Sequence, residues 1–160
     1  MKKTPPQKSE MLSLNDSAKY LLDEARLVLP GIQSMFGFQL IVIFTEAFNK
    51  LEPSQRFIHL AALSLMAIAI AIIMTPAAIH REGGSREVRE EFINVSSWLI
   101  LISMFPLAVG LCLDFYLVVG VIIDVQWAAF LAAILLAVFV FFWVVLPKSR
   151  RLQDAVQTPK

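Results

Sequence analysis

Charge is what this sequence has least of. Asp, Glu, Lys and Arg make up 17% of its 160 residues and hydrophobic residues make up 58%, whereas roughly a quarter of an ordinary soluble domain is charged. The few charges are gathered in short segments, although a soluble domain needs charges along its whole length to cover its surface. The composition therefore excludes an ordinary soluble protein and indicates a membrane protein.

Other absences narrow the function. A single cysteine, Cys112, excludes an intramolecular disulfide and a cysteine-based metal site, and it is interpreted as a small buried apolar residue. A net charge of +1 and the lack of a basic stripe make nucleic acid an unexpected partner. The chain has no glycine-rich phosphate loop, no metal-ligand spacing of His and Glu and no nucleophile elbow. We therefore expect no enzyme activity, no cofactor and no metal.

The N-terminal part predicts a tail followed by a surface helix. Residues 1–13 are polar, include adjacent prolines and lack periodicity, so they predict a disordered tail. Residues 14–29 predict an amphipathic helix on the cytoplasmic membrane surface, ended by a bend at Pro30 and Gly31. Its apolar stripe consists of Leu14, Ala18, Leu21, Leu22, Ala25, Val28 and Leu29.

Residues 30–148 predict four transmembrane helices, so the expected fold is an all-α, integral membrane four-helix bundle with an N-terminal surface helix. The spans are expected at 31–48, 60–79, 95–117 and 125–146, with a turn near 120–124 and a polar cytoplasmic tail at 149–160. Small residues let membrane helices approach closely. Two alanine ladders are therefore candidate contact faces, unless alanine is simply common in such helices: Ala67 and Ala71, and Ala129, Ala133 and Ala137.

The distribution of Lys and Arg predicts the orientation. Twelve of these residues fall in the N-terminal segment, the loop after the second span and the C-terminus, and two, Lys50 and Arg56, fall on the opposite side. Because positive residues are retained in the cytoplasm, both termini are expected there. Trp98 and Trp143 then lie at the inner interface, and Tyr116 and Trp127 at the outer one.

Ionisable residues near the spans provide two candidate sites, because charge within a membrane is costly and is generally functional. Gln39, Glu46 and Asp114 could line a polar, cation-attracting entrance on the outer side, or could simply reach interfacial water. His59 and His80 cannot share a site, because 21 residues of helix separate them by roughly 31 Å.

The second candidate site lies on the cytoplasmic side, where a helix C-terminus favours cations. Its members are Glu24, Arg26, Gln33, His80 and Arg81. Glu24 is expected to pair with Arg81. The alternative is that these residues only dock the surface helix onto the bundle.

Several of these residues also carry a resemblance to a family. The pattern comprises Glu24-x-Arg26, Pro30-Gly31-x-Gln33, Phe36 with Phe38, Pro76-x-x-x-His80-Arg81, and Asp114. It resembles an uncharacterised family of small bacterial four-span membrane proteins that carries only a domain-of-unknown-function label, and it covers about residues 20–150. The resemblance implies four helices in a bacterial inner membrane. It implies no activity, substrate or cofactor.

Two functions remain open at this point. The first is a structural or interaction protein whose cytoplasmic polar cluster and surface helix contact membrane lipid, a second copy of the chain or another membrane protein. The alternative is a small oligomeric transporter or channel subunit with Gln39, Glu46 and Asp114 on its pathway, because one four-helix bundle is too thin to enclose a wide pore. A membrane enzyme based on His80 is the least favoured, because no second catalytic group lies beside it.

Overall fold

A computed structural model describes residues 6–82 and 90–148, and every regular element within these residues is helical. The elements are α1 (Pro6–Val42), α2 (Glu46–Asn49), α3 (Pro53–Glu82), α4 (Glu90–Ile122), α5 (Val125–Val140) and a π-helical turn (Phe141–Val145). The π-helical turn is closed by Leu146 N–H, which donates to the Phe141 carbonyl at 2.8 Å. The prediction of an all-α fold is confirmed.

In the described part of the chain, four helical segments are long and apolar enough to cross a membrane. They are Asp16–Val42, Pro53–Glu82, Glu90–Ile122 and Val125–Val145. Large hydrophobic side chains are exposed on them, including Phe105 at 71% and Ile122 at 75% exposure. Such surfaces promote aggregation in water but suit lipid. The prediction of four membrane-spanning helices is confirmed, and the chain is a membrane protein.

The N-terminal third differs from the prediction. Residues 6–42 form one helix that contains Pro30, so the expected helix break at Pro30 is wrong, and residues 6–13 begin this helix instead of belonging to a disordered tail. Pro6 occupies the first helical position, where a missing N–H costs nothing. Residues 1–5 of the predicted tail lie outside the described residues.

Packing explains why the helix continues through Pro30. A proline inside a helix removes one hydrogen bond and costs about 3 kcal/mol. Along α1, however, one continuous row of covered side chains runs both before and after Pro30. The row follows alternating steps of four and three residues, the spacing of left-handed helix packing. Its members are Ala18, Leu22, Ala25, Leu29, Ile32, Phe36 and Gln39, all buried or half-buried. Four residues of the predicted apolar stripe belong to this row, whereas Val28 of the stripe is exposed.

The end of the first span also differs from the prediction. The sequence predicted a helix to Phe48, but α1 ends at Val42 and the short helix α2 follows. Thr45 makes this change of direction, because its hydroxyl donates to the Val42 carbonyl at 2.7 Å and accepts from Phe48 N–H at 3.3 Å. Thr45 is thus the N-cap of α2, and a capping side chain ends the first span earlier than hydropathy alone indicated.

The chain divides into two compact units. The first unit contains α1 and α2, residues Met1–Lys50, together with Leu63–Leu107, and the second contains Leu51–Ala62 and the residues from Ala108 onwards. The predicted polar tail at 149–160 and the loop at 83–89 lie outside the described residues.

The expected alanine ladders are not the buried faces. Ala67 and Ala71 are exposed on α3, whose buried row is His59, Ala62, Met66, Ala69, Ile73 and Pro76. On α5, Ala129, Ala133 and Ala137 are exposed.

The buried residue of α5 is instead Ala128. A turn of two residues joins α4 to α5, and a Cβ added to Gly120 would lie 3.8 Å from Ala128 Cβ. This close approach sets the register of α5, whereas the sequence reasoning had used residue type alone.

Candidate functional site

An ionisable pair lies in the second unit, where the N-terminal end of α3 meets α4. His59 Nδ1 is 3.8 Å from Asp114 Oδ1, and the two side chains are 7% and 18% exposed. Both residues belong to helices that are long and apolar enough to span a membrane. Because ionisable groups in such helices are costly, this pair is the strongest candidate for a functional site.

The pair is held by the buried faces of its two helices. His59 lies one turn before Ala62 on the buried row of α3, and Ala62 is fully buried. On α4, Asp114 lies between Cys112 and Leu117, which are each 7% exposed. Small and apolar neighbours therefore surround the imidazole and carboxylate along each helix, and they limit the access of water.

The distance determines the chemistry that the pair can perform. A separation of 3.8 Å is too long for a hydrogen bond but lies within ion-pair range when His59 is protonated. In surroundings of low dielectric constant, attraction between opposite charges is stronger than in water. The two groups therefore form an ion pair only in the protonated state of His59.

The predicted outer entrance is divided between the units. Gln39 and Glu46 belong to the first unit and Asp114 to the second. Gln39 is 5% exposed on the covered row of α1, whereas Glu46 is exposed at the first residue of α2. Gln39 and Glu46 therefore do not share one surface, and the role of the three residues as an entrance stays a prediction.

All five residues of the predicted cytoplasmic cluster are exposed side chains of the first unit: Glu24, Arg26, Gln33, His80 and Arg81. Arg26 pairs with Asp23 at 3.6 Å, and the His80 ring packs on Phe92 with 5.7 Å between ring centroids. Among the described residues, Glu24 and Arg81 form no ion pair with each other. The expected Glu24–Arg81 contact is therefore wrong for this structure, because α1 continues through Pro30 as one helix instead of folding back there.

His59 is the residue that sequence reasoning missed. It was compared only with His80 and was not tested against Asp114. The signal was present, since His59 is three residues before Ala62 and seven before Met66, the spacing of a covered helix face. The orientation rule also assigned the start of the second span and the end of the third to the same side of the membrane.

Other site chemistries have little support in residues 6–82 and 90–148. No group of three or more His, Cys, Asp or Glu side chains there could hold a metal ion. A shallow depression at the turn between α4 and α5 is lined by Val121, Ile122, Ile123, Asp124 and Trp127. Its lining is mostly apolar and exposed, so it indicates no ligand.

The chain was also compared with known proteins. No curated protein and no solved structure matches it. A sequence family does match, over residues 10–147, which contain all four candidate spans and both residues of the His59–Asp114 pair. The chain therefore belongs to DUF6328, a family of unknown function.

Proposed function

We propose that this chain is a multi-pass protein of a bacterial inner membrane, with both termini in the cytoplasm, that acts by contacting another membrane component. It is a structural or interaction protein in this proposal, and no catalytic role is assigned to it. The N-terminal half of α1 is the element that makes the contact.

The length of α1 is the observation that carries the proposal. The helix has 37 residues, which corresponds to roughly 55 Å at 1.5 Å per residue. A bilayer core of roughly 30 Å needs about 20 of them, and the last 20 begin at Asp23. The residues before Asp23 then extend about 25 Å beyond the hydrocarbon as a continuation of the span.

This extension carries a surface suited to polar partners. Asp16 and Lys19 are exposed on it, and Tyr20 is 76% exposed. The ion pair Lys19–Asp16 lies within α1 and is exposed, so it contributes little to stability and leaves these groups available. Lipid headgroups, a second copy of the chain or another membrane protein are the partners that such a surface fits.

The orientation is tested first. Reporter fusions after Lys160 and within residues 82–90 should report the cytoplasm, and a fusion between Lys50 and Ser54 should report the outer side. A cytoplasmic signal from the fusion at 50–54 would overturn the arrangement.

The contact is tested by photo-crosslinking in intact cells. A photoreactive residue at Tyr20, which is exposed, should give adducts with lipid or protein. The same residue at Leu22, which is half-buried on the covered row of α1, is the matched control and should give markedly fewer. Equal yields at the two positions would contradict the proposal.

A second candidate function is a small oligomeric transporter or channel subunit. The buried His59–Asp114 pair favours it, because paired ionisable groups in membrane helices often mark ion pathways. A flux assay in liposomes should then lose activity in Asp114→Asn, while the oligomeric state is measured in nanodiscs. A strictly monomeric protein without flux would exclude this candidate.

A further inference from the structure

We propose that His59 and Asp114 form a proton-binding site. This inference goes beyond the interaction role and does not depend on it. The ligand is a single proton, which adds to the Nδ1 lone pair of His59 and faces the carboxylate of Asp114.

The geometry supports a proton better than a metal ion. His59 Nδ1 and Asp114 Oδ1 face each other at 3.8 Å, and no group of three ligating side chains exists among the described residues. Proton uptake converts a neutral imidazole and a carboxylate, with a net charge of −1, into an imidazolium–carboxylate pair with no net charge. No other bond in the protein forms or breaks, and the proton comes from water.

The two side chains are unequally covered. The Asp114 side chain keeps 18% of its surface accessible, whereas His59 keeps 7%. Asp114 is therefore the more accessible member of the pair, and the imidazole is nearly enclosed.

Few other titratable groups of this unit are able to influence the pair. In its described part, four are exposed and two are covered: Glu52, Arg56, Asp124 and Lys148 are exposed, Tyr116 is half-buried, and Cys112 is buried. The α5 helix, Val125–Val140, has no ionisable side chain. Asp114 is thus the carboxylate that is not exposed among the described residues of this unit.

Nuclear magnetic resonance of the full chain in nanodiscs tests the site. Labelling histidine with nitrogen-15 marks only two residues, His59 and His80, and a His80→Gln variant assigns them. In Asp114→Asn the ratio of imidazolium to imidazole at His59 should change at fixed pH, because a charged carboxylate within 4–6 Å is lost. The His80 signal should not change.

Asp124→Asn is the matched control. Asp124 is a carboxylate of the same unit, but it is exposed at the start of α5 and outside the pair. If Asp114→Asn changes the His59 ratio no more than Asp124→Asn does, the proposal is wrong.

A measurement on the unmodified chain covers the case in which Asp114→Asn does not fold. With aspartate carboxyl groups labelled with carbon-13, the Asp114 signal should shift over the same pH interval as the His59 ring signals. Independent changes of the two signals would overturn the site.

Discussion

Replacing Ala128 by leucine tests how α5 packs. Ala128 is fully buried and is the buried residue of α5. It faces Gly120, where even one added carbon would lie 3.8 Å from Ala128 Cβ. This distance leaves room for about one carbon, whereas leucine adds three at a fully buried position, so α5 has to move away from α4.

The size of the effect follows from this packing. Inserting extra carbons into a well-packed interior costs about 1 to 3 kcal/mol. A chain of 160 residues loses about 2 to 4 °C of Tm per kcal/mol. We therefore expect Ala128→Leu to lower the Tm by about 2 to 12 °C. Ala133→Leu is the control, because Ala133 is exposed on the same helix, and such surface changes stay within about 0.5 kcal/mol.

Cys112 provides the assay. It is the single cysteine, it is 7% exposed, and it belongs to the same unit as Ala128. A dye that fluoresces on reaction with thiols reports the temperature at which Cys112 becomes accessible. If both variants melt together, the assigned register of α5 is refuted. The opposite order would restore the alanine ladder as the contact face.

Four further changes test individual helices. Gly120→Ala should raise the Tm, because alanine favours a helix by about 0.8–1 kcal/mol over glycine and the new Cβ makes an ordinary contact; a lower Tm would show that the space is smaller. Pro30→Ala should slow hydrogen exchange across residues 20–34, because it restores a hydrogen bond within α1; faster exchange would argue for a real break there. Ser96→Ala should be neutral or stabilising, since Ser96 Oγ is buried without a hydrogen-bond partner among the described residues. Ser103→Ala should destabilise by about 0.5–1.5 kcal/mol, because Ser103 Oγ donates to the Ile100 carbonyl; equal effects would contradict this difference.

Hydropathy predicted the four spans because the need for an apolar segment of sufficient length depends only on the local sequence. About 20 apolar residues are needed wherever a helix crosses a bilayer. The α3 and α4 helices each contain a predicted span, and α5 with the π-helical turn covers the fourth as far as Val145. The α1 helix was mispredicted because Pro30 and Gly31 are also a local signal, and it opposes the helix. The covered row that keeps α1 continuous depends on neighbouring helices, which the local pattern does not describe.

The candidate site was half predicted for the same reason. Asp114 was recognised from one helix, because a carboxylate in an apolar run is unusual without any knowledge of its neighbours. His59 has no such local signature, since it stands just before the apolar run of α3. Its importance depends on the register of two antiparallel helices, which becomes visible only when the buried rows of α3 and α4 are compared.

Stability alone does not explain why the interior of the second unit contains this pair. The row of α3 that includes His59 is otherwise built from Ala62, Met66, Ala69, Ile73 and Pro76. Replacing a buried ion pair by apolar side chains of similar size is often neutral or stabilising, because charged groups lose their hydration on burial. A leucine at each position would therefore hold α3 against α4 at least as well. His59 and Asp114, 3.8 Å apart, are therefore better explained by a functional role than by the stability of the helix contact.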